Sequence, residues 1–180
     1  ATTCYVPASG RVIAVGDVHG DLAKLEQVLR LAKLIDDERQ WIGGSDTLVQ
    51  LGDVLDRGPN ERECYELLWR LQSEAPRDGG RVVCLLGNHE VSRVMGSFGP
   101  VAAWRQGGLL AERLATGPVL AIVGDSVFVH GGLPPDITRE GILTYNQQMQ
   151  RYLLNPGRRA YNWMGGRDPV FSPLWDRDLS

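Results

Sequence analysis

Four short polar motifs contain residue types that could carry out chemistry together. They are GDVHG (16–20), GDVLDRG (52–58), GNHE (87–90) and HGG (130–132). Their carboxylate, imidazole and amide groups are hard or borderline ligands, which suit manganese, iron or zinc better than Cu(I). No single motif supplies enough ligands to hold a metal ion. A metal site therefore requires the four segments to meet in the folded chain.

Asp53 is the residue around which these ligands could be arranged, because one carboxylate can bridge two cations. Asp17, His19 and one oxygen of Asp53 could hold the first metal ion. The other oxygen of Asp53, together with Asn88 and His130, could hold the second. Two metal ions about 3.5–4 Å apart clamp the attacking and leaving oxygens of a phosphoryl group and make hydroxide available near neutral pH. The motifs therefore predict metal-dependent cleavage of a phosphate ester.

Three further residues of the same motifs could act on the substrate. His89 follows Asn88 directly and is suited to protonate the leaving oxygen, since imidazole titrates near neutral pH. Asp56 could orient His89 and raise the pKa of its ring. Arg57 presents a planar group that binds phosphate oxygens in pairs. These three residues are the candidate general acid, its orienting carboxylate and the phosphate-binding group.

The first three motifs follow segments that are predicted to be strands of one parallel sheet. The predicted strands span residues 11–15, 47–51 and 81–86, and predicted helices at 21–35 and 60–75 connect them. Strands and helices that alternate at this spacing are typical of right-handed βαβ units. Ligands of such sheets collect at the carboxyl ends of the strands, so these motifs are expected at one edge.

The second half of the chain is predicted to be less regular. Glycine and proline interrupt the segment 91–118, in which residues 109–115 are the best helix candidate. A hairpin with a two-residue Gly-Asp turn is predicted at 119–130, and its second strand leads into the HGG motif. A further helix is predicted at 138–154, with a threonine cap.

Length and composition indicate one globular domain, with the catalytic domain expected at residues 11–180. The net charge of −3 gives no reason to expect nucleic acid or an anionic membrane as a partner, and the apolar runs are too short to span a bilayer. The three cysteines are expected to be buried thiols, which favours a reducing intracellular compartment. The sequence does not indicate an oligomeric state.

In this order, the four motifs resemble the phosphoprotein phosphatase family of the calcineurin-like metallophosphoesterases, whose pattern is GDxHG, GDxxDRG, GNHE and HGG. The resemblance covers residues 11–135. Two features are more similar to the Shewanella-like branch: the PLWDRD tail (173–178), and Leu86, where well-known eukaryotic and phage enzymes carry Arg. The resemblance implies an α/β fold, with a β-sandwich flanked by helices, and direct hydrolysis of phosphomonoesters in a phosphorylated protein or peptide. It also implies two divalent metal ions, Mn²⁺ first and Fe or Zn as alternatives.

The same resemblance implies a role for each site residue. The metal ligands would be Asp17, His19, Asp53, Asn88 and His130. His89 would be the catalytic acid, paired with Asp56. Arg57 and Asn88 would contact the substrate phosphate.

Two departures from the family pattern bear on these roles. Leu86 removes one phosphate-binding Arg, and Arg177 is the first candidate to replace it, followed by Arg93 and Arg105. The family's second metal also uses a His well downstream of HGG, whereas all three His of this chain are already assigned. The chain is therefore expected to be a C-terminally truncated piece with an incomplete second sheet.

Three alternatives stay open on the sequence alone. Each motif by itself could be a turn, a capped helix start or a packed histidine. Because all four motifs follow predicted strands, together they favour a functional site. A dinucleoside polyphosphate hydrolase shares the motif plan, but by resemblance that group tends to carry Asn and Asp at the positions of Asp56 and Glu90. A truncated module could bind phosphate or a partner without turnover. The segment 96–108, with Trp104, is the candidate for substrate selection.

Overall fold

Two three-stranded sheets lie at the centre of the computed structural model, which describes residues 4–96, 102–105, 107–133, 136–155 and 173–175. The strands are β1 (Tyr5–Val6), β2 (Val12–Val15), β3 (Thr47–Gln50), β4 (Arg81–Cys84), β5 (Leu120–Val123) and β6 (Ser126–Val129). One sheet has the order β2-β3-β4 and is parallel throughout. The other sheet has the order β1-β5-β6. In it, β5 pairs in parallel with β1 and antiparallel with β6. The predicted parallel sheet and hairpin are confirmed. The sequence pattern does not reveal β1, because two residues are too few to show alternation.

The helices of the described chain flank these sheets. They are α1 (Leu22–Leu31), α2 (Glu61–Glu74), α3 (Asn88–Val94), α4 (Leu109–Leu114) and α5 (Arg139–Leu154), with short 3-10 turns at Ala75–Asp78 and Ala102–Trp104. Asp21 caps α1 by accepting the N–H of Lys24 at 2.9 Å. The helix ends before its predicted end at residue 35, because Lys33 lies in the left-handed region at φ 58°. The predicted helices are otherwise confirmed, and α3 is an addition that begins inside the GNHE motif.

Two apolar clusters hold these layers together. The cluster between the sheets joins strands of both, and it contains Val49 and Val83 of the parallel sheet with Val6, Ala121 and Val123 of the other sheet. The larger cluster joins the apolar faces of the helices to the sheets. All four residues of β3 are buried, as is typical of the central strand of a covered parallel sheet. The expected α/β fold with a β-sandwich flanked by helices is therefore confirmed.

The three cysteines are buried and unpaired, as predicted. Burial raises the pKa of Cys64 and the pKa of Cys84 to about 12. These two thiols are therefore protonated at neutral pH and are poor nucleophiles and poor metal ligands. In the described part of the chain, no helix combines the length and apolar character that a bilayer span requires.

An ion pair joins the start of β2 to the segment before β3. The backbone N, Nε and Nη2 of Arg11 donate to the carboxylate of Asp46 at 2.7, 2.9 and 2.6 Å. Although partial burial opposes the effect, these bonds hold the pKa of Asp46 below its ordinary value. A carboxyl group with a lowered pKa contributes stability above the pKa of the unfolded chain. That contribution is lost as the pH falls through the folded-state pKa.

Replacement of Asp46 by Asn should therefore destabilise the protein in a pH-dependent way. We expect the free energy of unfolding to fall by about 1 kcal/mol at neutral pH, because Arg11 is more than half exposed and the pair is screened by water. The difference should shrink as the pH falls below the ordinary Asp pKa of about 3.9, because the wild-type carboxyl group becomes protonated below its lowered folded-state pKa. Urea denaturation at several pH values measures both quantities. A pH-independent difference would contradict the role assigned to the ion pair.

Candidate active site

The loops that follow β2, β3, β4 and β6 meet at one end of the sandwich. The three parallel strands end in register, with Val15 beside Gln50 and Gln50 beside Cys84, so that their loops start at the same level. The N–H of His19 donates to the carbonyl oxygen of Asp53 at 2.9 Å, which ties the first loop to the second. Parallel pairing therefore places the first three motifs next to one another.

The loop after β3 has a strained backbone. Asp53, Asp56 and Arg57 have φ values of 55°, 66° and 75°. For residues other than glycine, this left-handed conformation costs on the order of 1 kcal/mol each and persists only where surrounding contacts hold it. Gly87 approaches this loop so closely that a Cβ there would overlap Oδ1 of Asp53. The loop after β3 is therefore held directly against the start of α3.

Oxygen Oδ2 of Asp53 is the point on which three imidazole rings converge. It lies 3.4 Å from Nε2 of His130, and 3.9 Å from Nε2 of His19 and of His89. Asp53 is only 2% exposed. Its other oxygen, Oδ1, accepts the backbone N–H of His89 at 2.9 Å. Oδ2 therefore faces the rings, whereas Oδ1 is engaged by the backbone, and the expectation that each oxygen meets a different metal ion stays a prediction.

Asp17 and Asn88 complete the set of predicted metal ligands. Oδ2 of Asp17 lies 3.6 Å from Nε2 of His19, and Oδ1 of Asn88 lies 2.9 Å from Nε2 of His130. Among the residues that the structure describes, two groups each offer three ligand atoms that lie within 4.8 Å of one another: His19-Asp53-His89 and Asp17-Asp53-His130. The structure thus brings all five predicted ligands together and adds His89 to one of the groups.

The hydrogen bonds of His19 and His130 show that this cluster fits cations. Nδ1 of His19 donates to the carbonyl of Leu55 at 2.8 Å, and Nδ1 of His130 donates to the carbonyl of Leu51 at 2.9 Å. Because a carbonyl can only accept, each neutral ring carries its lone pair on Nε2, which faces the cluster. Nε2 of His19 is buried and has no hydrogen-bond partner among the described residues. Histidine ligands of metals typically donate their second ring N–H in this way, so the residues fit a metal centre.

Asp53 and His130 shift the pKa of each other. Burial opposes both shifts, but His130 and His89 hold the pKa of Asp53 below its ordinary value, and Asp53 raises the pKa of His130. Both directions favour the charged forms of the pair in the absence of a cation. A metal ion that binds at this position therefore competes with a proton for His130.

His89 lies beside the cluster with one ring nitrogen held in place. Its Nδ1 donates to Oδ2 of Asp56 at 2.8 Å, which leaves Nε2 facing Oδ2 of Asp53. The rings of His19 and His89 meet edge to face, with their centroids 4.8 Å apart. This geometry suits a proton donor, since a carboxylate on Nδ1 stabilises the imidazolium. It also places Nε2 where a metal ion could bind, in the group formed with His19 and Asp53.

The predicted phosphate-binding arginines differ in their positions. Arg57 is exposed, directly after Asp56. Arg93 is only 7% exposed, and its Nη2 contacts the carboxylates of both Asp56 and Glu61. Arg93 is therefore already occupied and is not a free group for phosphate. Arg177 lies outside the described residues.

Trp104 is not placed to contact a substrate. It is 3% exposed and packs against Tyr65, with ring centroids 5.7 Å apart. Tyr65 in turn packs against Trp69, with centroids 4.9 Å apart. The hypothesis that Trp104 selects substrates is therefore wrong, because the side chain belongs to the core. Residues 97–101 and 106 of the segment suggested for substrate selection lie outside the described part of the chain.

Glu90 has a role in the site that motif reasoning misses. Its fully buried carboxylate accepts four backbone N–H groups from two loops. Oε1 accepts from Val54 and Leu55 at 2.9 and 3.0 Å, and Oε2 accepts from Asp53 and Gly87, both at 2.8 Å. Burial and Asp53 raise the pKa of Glu90, and the N–H groups oppose that rise. In a capping box, a Glu at the third position of a helix bonds to the backbone N–H of the residue before the helix. Glu90 stands at this position relative to Gly87, so this sequence pattern could have predicted the contact between them.

Comparison with known proteins shows what this chain is similar to. The family model described as calcineurin-like phosphoesterase matches residues 10–175. Shewanella-like protein phosphatase 2 of Arabidopsis thaliana is 30% identical over an alignment of 230 residues. The alignment covers 94% of this chain and 58% of that protein. Shewanella-like protein phosphatase 1 of Plasmodium berghei (strain Anka) is 34% identical over 165 residues, which cover 82% of this chain and 46% of that protein.

Among solved structures, the cold-active protein-tyrosine phosphatase of a psychrophilic Shewanella sp. superposes with a TM-score of 0.74. It is 24% identical, and the match covers 97% of this chain and 59% of that chain. At this level of identity, the likeness establishes the fold. The chain spans about half the length of the two curated relatives, 58% and 46%.

Proposed function

Since the chain belongs to the calcineurin-like phosphoesterase family, we propose that it hydrolyses phosphomonoesters of phosphorylated proteins or peptides in a metal-dependent reaction. The observation that carries this proposal is the convergence of three imidazole Nε2 atoms on Oδ2 of Asp53. Such a cluster can hold metal ions that clamp a phosphoryl group. A protein substrate is supported by the two Shewanella-like relatives, which are protein phosphatases by name.

Two divalent cations, manganese in our proposal, would be held by five residues. These are Asp17, His19, Asp53, Asn88 and His130. A dinuclear metal centre is characteristic of the family, and the two groups of ligand atoms share Asp53. When bound, the ions supply Lewis-acid activation of the phosphoryl group and of the attacking water.

The other site residues would bind and protonate the substrate. Arg57, exposed after the strained turn, would bind phosphate oxygens with its guanidinium. His89 would transfer the proton on Nε2 to the leaving oxygen, so that the product departs as an alcohol. The hydrogen bond from Nδ1 to Asp56 would stabilise the cationic ring before the transfer and keep the proton on Nδ1 afterwards.

A comparison of two substrates tests this proposal. With manganese present, the whole protein is expected to cleave a phosphopeptide with a kcat/KM at least about tenfold above that for diadenosine tetraphosphate, a difference of about 1.4 kcal/mol in transition-state stabilisation. Asp53→Asn is expected to abolish turnover of both and to lower the bound metal measured by elemental analysis, because both groups of ligand atoms include Asp53. Faster cleavage of diadenosine tetraphosphate would identify a dinucleoside polyphosphate hydrolase. Absence of turnover by a metal-loaded protein would favour binding without catalysis.

A further inference from the structure

Two residues outside the four motifs surround Asp56. Nη2 of Arg93 contacts Oδ1 of Asp56 and lies 2.9 Å from Oε1 of Glu61. Oε1 of Glu61 also accepts the backbone N–H of Asp56 at 2.8 Å. Both oxygens of the Asp56 carboxylate are therefore engaged, Oδ2 by His89 and Oδ1 by Arg93.

Helical spacing explains how two residues reach the same carboxylate. His89 and Arg93 are four positions apart on α3, and side chains at this spacing lie on the same face of a helix. The terminal torsion of an aspartate is soft, so a carboxylate held at one oxygen can rotate. Contacts at both oxygens prevent the Asp56 carboxylate from rotating. Oδ2 therefore holds the His89 ring in a single orientation.

Glu61 holds the backbone of Asp56. Asp56 and Arg57 have φ values of 66° and 75°, a strained conformation that needs support from its surroundings. Glu61 is the first residue of α2, and its carboxylate accepts the N–H of Asp56 within this strained turn. It therefore supports the backbone from which the side chains of both Asp56 and Arg57 extend.

Burial makes the contacts of Asp56 depend on Arg93. Asp56 and Arg93 are each 7% exposed. Arg93 lies between the carboxylates of Asp56 and Glu61, and its removal would leave two neighbouring anions without their shared cation. A buried charge that loses its partner is strongly unfavourable, and rotation of Asp56 towards water would relieve it. Such a rotation would break the hydrogen bond to His89.

We propose that Arg93 and Glu61 are positioning residues, which fix the carboxylate and backbone of Asp56 and thereby aim His89 at the leaving oxygen of the substrate. This inference rests on the proposed phosphatase function for its consequence in catalysis. The arrangement of His89 itself can be measured without turnover, so the two proposals can fail separately.

Nuclear magnetic resonance of the histidine rings tests the positioning directly. Nδ1 of each histidine donates to a different acceptor: the carbonyl of Leu55, the carbonyl of Leu51 or the carboxylate of Asp56. In zinc-loaded, histidine-labelled protein, the Arg93→Met variant should lose or broaden the Nδ1–H signal of His89. The signals of His19 and His130 should persist and serve as internal controls. Retention of the His89 signal would overturn the proposal. Loss of all three signals would show that the variant is unstable, and the Glu61 variants would then decide.

The dependence of turnover on the leaving group gives the catalytic readout. A phosphoserine peptide releases a basic alkoxide that needs a proton, whereas p-nitrophenyl phosphate releases a stable anion. Arg93→Met should lower kcat for the peptide by about 10- to 100-fold, as a misplaced catalytic group would, and leave KM unchanged. On p-nitrophenyl phosphate the loss in kcat should be less than about threefold, because this leaving group does not depend on the acid.

Two variants of Glu61 keep the test decisive if Arg93→Met is unstable. Glu61→Ala should reproduce the leaving-group pattern, whereas Glu61→Gln should behave like the wild type, because an amide oxygen can accept the same two hydrogen bonds. Arg62 and Glu66 form an exposed ion pair on α2 at 2.7 Å. Arg62→Met and Glu66→Ala are matched controls, which should leave kcat unchanged for both substrates.

Several outcomes would overturn the positioning role. One is an equal loss of kcat on both substrates for Arg93→Met and Glu61→Ala. Another is a raised KM with unchanged kcat, which would instead indicate that Arg93 binds phosphate. Absence of turnover by the wild type would count against the proposed function alone, and the His89 signal would then decide the positioning role.

Discussion

Replacement of His89 by Ala is expected to lower kcat for phosphopeptide hydrolysis by about 10²- to 10⁴-fold, the usual contribution of a general acid. Its Nδ1 is held by Asp56 at 2.8 Å, and its Nε2 faces the ligand cluster. The loss should fall on kcat more than on KM, because the proton moves to the leaving oxygen in the transition state. Steady-state kinetics of the manganese-loaded protein measures both constants.

Metal content provides the control for this prediction, because His89 also belongs to a group of possible ligand atoms. His89→Ala should bind nearly as much metal as the wild type in elemental analysis. His19→Ala is the matched comparison and should lose metal, since its buried Nε2 faces the cluster. If His89→Ala loses as much metal as His19→Ala, then His89 is a ligand and its assignment as the acid is wrong.

Glu90→Gln is expected to lower the free energy of unfolding by about 2–6 kcal/mol, because two buried N–H donors would lose their acceptor at a cost of about 1–3 kcal/mol each. Each oxygen of Glu90 accepts two backbone N–H groups. An amide presents an NH₂ group in place of one oxygen, so two N–H donors would face another donor in a fully buried site. Urea denaturation measures the loss.

The matched control is Glu66→Gln on α2, where the side chain is 54% exposed and pairs with Arg62. A change of less than about 0.5 kcal/mol is expected there, because exposed ion pairs contribute little. If Glu90→Gln were destabilised no more than Glu66→Gln, the four N–H contacts would not hold the loops together. Metal binding should also weaken in Glu90→Gln, since the N–H of Asp53 is one of the four donors.

Much of the fold and of the candidate site follows from local patterns in the chain. The apolar runs before GDVHG, GDVLDRG and GNHE form β2, β3 and β4 in the predicted parallel arrangement. Periodicity, glycine punctuation and residue type are local properties, and they suffice to place Asp17, Asp53 and Asn88 at the ends of neighbouring strands. Strands too short for a period escape such reasoning, which is why β1 does not show.

The pairing of individual side chains is a different matter, because it depends on packing between distant segments. Arg93 and Trp104 are both candidate substrate contacts in the amino-acid sequence, yet folding buries the first against Asp56 and the second against Tyr65. Glu90 bonds a backbone N–H that is 37 positions away. Residue types and their spacing therefore determined the elements and the nominated ligands. Only the close approach of α3 to the loop after β3 decided which oxygen of Asp53 faces the histidines and which residues hold His89 in place.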